Sequence, residues 1–116
     1  MKLLATLSAT LLLVACTSGS AAPPTSSPVP VPPEASQAVD AALQDAAAHL
    51  NVSRDQLQVS QVESQQWNDA SLGCPQPGQL YSQIVTPGFL VMISSGSHQL
   101  EYHTDTRGRV TLCHET

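Results

Sequence analysis

The chain has 116 residues, a length that accommodates one domain at most once any targeting segment is set aside. It carries four Lys and Arg residues against nine Asp and Glu residues, which gives a formal net charge of −5. Because lysine and arginine supply the affinity of proteins for phosphate backbones, this charge balance argues against nucleic-acid binding.

The first 15 residues are typical of a secretory signal peptide. Lys2 supplies a positive start, and residues 3–15 are apolar or small throughout. Such a stretch is shorter than the roughly 20 residues that a transmembrane helix needs. It matches the apolar region of a signal peptide, which spans roughly 7–15 residues. Residues 1–15 are therefore predicted to be removed from the mature protein.

The end of this segment, LVAC at residues 13–16, resembles the lipobox of bacterial lipoproteins. The resemblance implies cleavage before Cys16, acyl chains on Cys16 and attachment to a membrane through this lipid. Several buried acyl chains hold far more firmly than one, since each CH₂ group contributes about 0.8 kcal/mol. The alternative is an ordinary secretory signal in which the cysteine has no such role.

A lipid anchor on Cys16 would place the protein in the bacterial cell envelope, facing the periplasm or the exterior. Thr17 stands where some Gram-negative lipoproteins carry an aspartate that retains them in the inner membrane. The outer membrane is therefore favoured if the source has two membranes.

Residues 16–34 are predicted to form the lipidated cysteine and a disordered tether rich in proline and serine. This segment holds most of the chain's nine prolines and almost no large apolar side chain. It cannot repay the entropy of ordering through burial. At about 3.1 Å per residue its extended length is on the order of 55 Å. We interpret it as a passive spacer in front of a folded domain at residues 35–116.

A helix is predicted from Ser36 to Leu50. Apolar side chains recur there at helical spacing, with polar residues between them. Ser36 is a suitable N-cap and Asn51 a suitable end. Residues 53–56 have the form of a capping box and indicate one further turn.

After the helix the pattern changes to that of β-strands. Val59 and Val62 are out of phase, which indicates a β-bulge near Ser60. Residues 80–85 are rich in β-forming residues and are interpreted as a strand, and residues 86–88 as a turn. Further strands are predicted at residues 89–93, 98–103 and 109–113, with turns at residues 94–97 and 104–108. The fold class is α+β: one N-terminal helix packed on a small antiparallel sheet of four to five strands.

Two cysteines, Cys74 and Cys113, remain if Cys16 carries lipid. Export places them in an oxidising compartment, so we predict a disulfide between them. A bridge that closes about 40 residues contributes roughly 3–4.5 kcal/mol in the chain-entropy model. A reactive thiol or a metal-binding pair is the alternative.

The segment from residue 67 to residue 81 is the most distinctive part of the sequence, with two glycines, two prolines and the chain's only tryptophan. Long ordered loops in small domains tend to be functional. We therefore treat five of its residues as a candidate binding surface: Trp67, Asp69, Leu72, Pro75 and Tyr81.

Structural roles are the preferred interpretation of several of these residues. Trp67 can cover the edge of the sheet with its indole N–H on a carbonyl. Asp69 can accept hydrogen bonds from the loop's own amides, as in an Asx turn. Tyr81 and Tyr102 are expected in the core or at its rim.

The stretch from Trp67 to Cys113 resembles an uncharacterised family of small exported bacterial domains. The shared pattern is W-x-D-x-S-L-G-C-P-x-P-G, followed by Y-x-Q, T-P-G, a Y-H-T-D-like segment and a terminal L-C. The resemblance supports a small exported fold. It supplies no catalytic residues.

Chemical motifs are scarce. His103, Asp105 and His114 could converge as zinc ligands, but an H-x-D sequence next to a turn is common by chance. The sequence has no nucleophile elbow, P-loop or HExxH motif. We expect no enzymatic activity, no cofactor and no metal.

The preferred functional hypothesis is a membrane-tethered binding or interaction module of the bacterial cell envelope with a protein partner. The first alternative is a protease inhibitor that presents the disulfide-braced loop, with the sequence LGCP at residues 72–75 as its tip. Burial of Leu72 would favour a structural loop over an inhibitory one. The second alternative is a metal-binding or enzymatic domain.

Overall fold

The computed structural model describes Gly19 and residues 28–116. The predicted signal peptide, Cys16 and most of the predicted tether lie outside the described residues. The described chain forms one helix, α1 (Ser36–Leu50), and four strands: β1 (Gln58–Trp67), β2 (Thr86–Ser95), β3 (His98–Asp105) and β4 (Val110–Glu115). The predicted fold class, one helix packed on an antiparallel sheet, is confirmed with four strands.

Helix α1 has the predicted bounds. Asn51 ends it in the left-handed conformation, with φ of 54°, as short polar residues at helix ends often do. The predicted N-cap role of Ser36 is wrong, because a 3₁₀ turn at Pro33–Ala35 already leads into the helix. The ring of Pro33 fixes a φ value suited to a first helical turn. The Ser36 hydroxyl instead donates to the Pro33 carbonyl oxygen at 2.6 Å.

The second predicted turn forms as a 3₁₀ helix at Arg54–Gln56, without a side-chain cap from Ser53. In the part of the chain that the structure describes, no helix combines the length and the apolar character needed to cross a membrane.

The sheet is an antiparallel meander in the order β1-β2-β3-β4. The predicted bulge is confirmed, since the register of β1 against β2 shifts between Val59 and Gln61. A second irregularity separates β3 from β4: Glu101 lies opposite His114 and Tyr102 opposite Leu112. Cys113 is therefore the extra residue of a bulge. A bulge of this kind re-aims a side chain.

Two of the predicted elements are wrong. Residues 80–85 form no strand, because no other strand lies beside them, and β-forming residues need cross-strand neighbours to be stabilised. Residues 86–88 are not a turn but the start of β2. Pro87 is tolerated there because β2 pairs with β3 only from Gly88 onwards, so its missing N–H costs no hydrogen bond to β3.

Smaller differences concern the ends of β2, β3 and β4. Thr104, predicted in a turn, is a fully buried residue of β3, which continues to Asp105. The turn between β2 and β3 is shorter than predicted, since β2 runs to Ser95 and β3 begins at His98.

The core lies between α1 and one face of the sheet. The helix contributes small side chains, Ala38, Ala42 and Ala46, which are at most 2% exposed. They meet larger buried side chains of the two central strands: Phe89, Val91, Ile93, Leu100 and Tyr102. The small side chains of the helix allow it to approach the larger side chains of the sheet closely.

One hydrogen bond anchors the helix to the centre of the sheet. Tyr102 is fully buried. Its hydroxyl donates to Asp45 Oδ2 at 2.8 Å. Burial raises the pKa of Tyr102 well above its usual range, and the hydrogen bond to Asp45 and the negative charges of Asp45 and Glu115 raise it further. The folded protein therefore holds this phenol neutral.

Replacing Tyr102 with phenylalanine should lower the free energy of unfolding by about 1 kcal/mol at neutral pH, because one net hydrogen bond is lost. As the pH rises above about 10, the ordinary value for tyrosine, the unfolded chain releases the phenol proton while the folded chain keeps it. The free energy of unfolding of the wild type should therefore decrease as the pH rises in this range, and that of the Tyr102→Phe variant should decrease less steeply. Urea unfolding at a series of pH values measures both slopes, and equal slopes would contradict this role.

Candidate functional site

The face of the sheet opposite α1 carries a compact cluster built around His103. Side chains alternate along a strand, so Leu100, Tyr102 and Thr104 point to the helix while Glu101 and His103 point away from it. Although His103 lies on the face that the helix does not cover, it is buried, with only 7% of its surface exposed. The residues that cover it come from the end of β1 and from the loop that follows.

Trp67, the last residue of β1, stacks on the imidazole of His103. The ring centroids are 4.2 Å apart and the planes differ by 15°. The indole N–H donates to the carbonyl oxygen of Thr104 at 2.8 Å. The prediction that Trp67 covers the sheet with its N–H on a carbonyl is confirmed. Its ring spans β2, since Trp67 belongs to β1 and both of its partners belong to β3.

Two glycines make this stack possible. At Gly88, on β2 between the two strands, a Cβ would collide with the Thr104 carbonyl that accepts the indole hydrogen bond. At Gly73 a Cβ would lie 3.2 Å from Trp67 Cε3, and the backbone φ is +74°. A side chain at Gly73 would therefore be strained by its backbone as well as crowded by the indole.

Both ring nitrogens of His103 face hydrogen-bond acceptors. Nδ1 is 2.6 Å from the carbonyl oxygen of Leu72, and Nε2 is 2.8 Å from Glu101 Oε1. A carbonyl oxygen can only accept, so Nδ1 carries a hydrogen. The sulfur of Cys74 lies 3.2 Å from the same Nδ1.

Cys74 is bonded to Cys113, so the predicted disulfide is confirmed. The Cα atoms are 5.7 Å apart, within the usual range for a disulfide. The bond joins the loop to β4 at the bulge described above. The covering loop is therefore held covalently at Cys74 and by the His103 hydrogen bond at Leu72.

Potential metal ligands converge at a place that the sequence did not predict. Among the residues that the structure describes, the ligand atoms of Cys74, His103 and Cys113 lie within 4.8 Å of one another. The trio considered as an alternative in the sequence, His103, Asp105 and His114, is not among the groups of converging ligands in the described residues. In the disulfide form the two sulfurs are bonded to each other and are not thiolates, the form in which cysteine binds metals.

Asp69 shapes the start of the loop. Its Oδ1 accepts the backbone N–H of Ser71 at 2.8 Å and also the Ser71 hydroxyl. These hydrogen bonds lower the pKa of Asp69 from its usual value. The predicted Asx-type interaction is confirmed. The turn leads to Leu72, which has a positive φ of 59° and is 1% exposed.

The second half of the connection to β2 is open to solvent. Leu80 is 100% exposed, Ile84 64% and Val85 60%. Tyr81 is half-buried, and its hydroxyl accepts the backbone N–H of Gln76 at 2.9 Å. The connection thus has a buried part, residues 69–74, and an exposed apolar part, residues 80–85.

A groove of about 380 Å³ separates the exposed part from the turn between β3 and β4. Ile84 and Val85 line one wall, and Arg107 and Arg109 line the other. Arg109 donates to the carbonyl oxygen of Ala70 at 2.8 Å and lies 3.5 Å from an Asp105 oxygen.

The exposed Arg107 guanidinium has no hydrogen-bond or ion-pair partner within residues 28–116. Asp105 instead orders the backbone beneath it, since Oδ1 accepts the N–H groups of Arg107 and Arg109. The groove therefore combines an apolar wall with an unpaired cation. Sequence reasoning missed this site, although two of the chain's three arginines fall in one short turn.

The five residues of the predicted binding surface have different surroundings. Trp67 and Leu72 are buried, Asp69 is half-buried in its turn, Pro75 is exposed, and Tyr81 is half-buried. A partner could therefore contact Pro75 and Tyr81 but not Trp67 or Leu72. The residues with the largest exposed apolar surface come later, at residues 80–85.

A family model described as "Domain of unknown function (DUF8738)" matches residues 39–113. The matched range contains the whole Trp67–His103 cluster and the groove. No curated protein and no solved structure matches the chain.

Truncating Trp67 to alanine should lower the free energy of unfolding by about 3–5 kcal/mol, because a large buried ring is lost. Such a loss is a large fraction of the total stability expected for a domain of this size. Leu80→Ala in the same connection is the matched control, since the fully exposed leucine should contribute within about 0.5 kcal/mol. Thermal and urea unfolding compare the two. Equal effects would show that Trp67 does not anchor the loop.

Proposed function

The chain belongs to the DUF8738 family of domains of unknown function, and we propose that it acts as a membrane-tethered binding module of the bacterial cell envelope. Its binding site would be the groove between residues 82–87 and the turn that carries Arg107. One observation carries the proposal: the exposed side chains of Ile84 and Val85 line this groove together with the unpaired Arg107.

The apolar surface supports binding because it is concentrated in one segment. Apart from Val31, the large hydrophobic residues that are exposed within the described part of the chain are Leu80, Ile84 and Val85. Scattered exposed apolar residues need no explanation, but grouped ones mark interaction sites.

The charges indicate the chemistry of the partner. Arg54 lies 2.6 Å from Asp40 and Arg109 pairs with Asp105, whereas Arg107 keeps its hydrogen-bonding capacity. Arginine favours planar bidentate contacts with carboxylates. The groove therefore suits a protein segment that brings an apolar side chain and a carboxylate together.

The inhibitor alternative receives less support. The tip proposed for it begins at Leu72, which is 1% exposed and whose carbonyl is hydrogen-bonded to His103. A protease cleft could not reach this residue without removing the loop from the sheet.

Contact at the groove can be tested by photo-crosslinking in cells of the source organism. A photoreactive residue in place of Ile84 in the full-length chain should yield a defined crosslinked partner, and Arg107→Gln should reduce that product several-fold. The same residue in place of Gln44, exposed on α1, is the matched control. Equal products at the two positions, or none at Ile84, would contradict the proposal.

The proposed tether makes a separate prediction. The mature protein should begin at Cys16 and carry acyl chains, and Cys16→Ser should move it from the membrane fraction to the soluble fraction. Mass spectrometry of the purified chain and membrane fractionation check both statements. An unmodified Cys16 in a chain that still sediments with membranes would contradict lipid anchoring.

A further inference from the structure

We propose that the Cys74–Cys113 disulfide is a reactive site for thiol–disulfide exchange with an external dithiol, and that His103 stabilises Cys74 as the leaving thiolate. The inference rests on the cluster beneath Trp67 and is independent of the groove. It assigns the imidazole a chemical role in addition to its place in the fold.

The first support is the position of the Nδ1 hydrogen. Nδ1 lies 3.2 Å from Cys74 Sγ and 2.6 Å from the Leu72 carbonyl oxygen. While the disulfide is intact, the hydrogen is directed to the carbonyl. When Cys74 becomes a thiolate, the same hydrogen has a negatively charged acceptor at contact distance. Hydrogen bonds to charged acceptors are roughly twice as strong as neutral ones.

The second support is that the imidazole is held in place on its other sides. Nε2 lies 2.8 Å from Glu101 Oε1. Trp67 covers one ring face, with the ring centroids 4.2 Å apart. These contacts hold the ring in the position that places Nδ1 beside Cys74 Sγ.

The two sulfurs are not equivalent. Both cysteines are half-buried, but His103 Nδ1 lies 3.2 Å from Cys74 Sγ, whereas Cys113 sits at the bulge of β4, the last strand of the sheet. In exchange reactions the sulfur that forms the more stable thiolate leaves faster. The geometry therefore points to attack at Cys113 and departure of Cys74.

The reaction balances as follows. One thiolate of the dithiol attacks Cys113 Sγ, the bond between the protein sulfurs breaks, and its electron pair passes to Cys74 Sγ. The second thiol of the dithiol, as its thiolate, then attacks the dithiol sulfur that is bonded to Cys113. This step closes the disulfide of the dithiol and releases Cys113 as a thiolate. The dithiol is oxidised to a disulfide, the protein gains two thiols, and the two protons come from the dithiol.

The direction of attack can be tested on the wild-type full-length chain with glutathione, a monothiol that forms a mixed disulfide but lacks the second thiol of a dithiol. After rapid acid quenching and alkylation, peptide mapping should find glutathione mainly on Cys113. Glutathione mainly on Cys74, or equally on both, would overturn the assignment of Cys74 as the leaving sulfur.

If His103 stabilises the Cys74 thiolate, its replacement should make the disulfide harder to reduce, which is the opposite of what a loosened fold would do. In dithiothreitol redox buffers, His103→Gln should lower the equilibrium constant for reduction about tenfold, or about 30 mV for a two-electron couple. A variant that merely loosened the fold would be reduced more readily. His114→Gln, an exposed histidine beside Cys113, is the matched control and should behave like wild type. An unchanged or increased constant in His103→Gln would overturn the proposal.

Discussion

The stack of Trp67 on His103 determines how the second face of this sheet is covered. It joins the end of β1 to β3 across the intervening strand, and the indole hydrogen bond fixes it to the Thr104 backbone. Three features of the loop lie against these two rings: Gly73 beneath the indole, the Leu72 carbonyl on the imidazole and the sulfur of Cys74 beside it. A helix covers one face of the sheet, and this small cluster covers part of the other.

The buried half of the connection from β1 to β2 therefore sets the position at which the exposed half begins. Residues 69–74 are fixed by the Asp69 turn, by His103 and by the disulfide. Arg109 adds a further restraint through the Ala70 carbonyl. The apolar residues that follow emerge from this rigid base at a defined place beside the groove. A rigid base lowers the entropy that a partner must remove on binding.

Local signals were sufficient for much of the fold. The periodic apolar pattern predicted α1, the phase change predicted the bulge at Ser60, and parity of cysteines predicted the disulfide. Residues 80–85 were mispredicted because strand formation depends on a neighbour, which side-chain composition cannot reveal. The groove and the contact of His103 with Cys74 were missed because each joins residues distant in sequence. Such proximity is set by strand register, and a one-residue shift would have turned His103 to the helix side.

The start of α1 lies beside the rim of the groove. Gln37 donates to the Arg107 carbonyl oxygen at 3.0 Å, and its side chain packs against Gly108. The chain that precedes the helix therefore enters the domain beside the turn that forms one wall of the groove. If Cys16 is the anchor, the tether would join the domain next to the proposed binding site. A partner bound there would then lie close to the point of attachment, whichever way the domain turns on its tether.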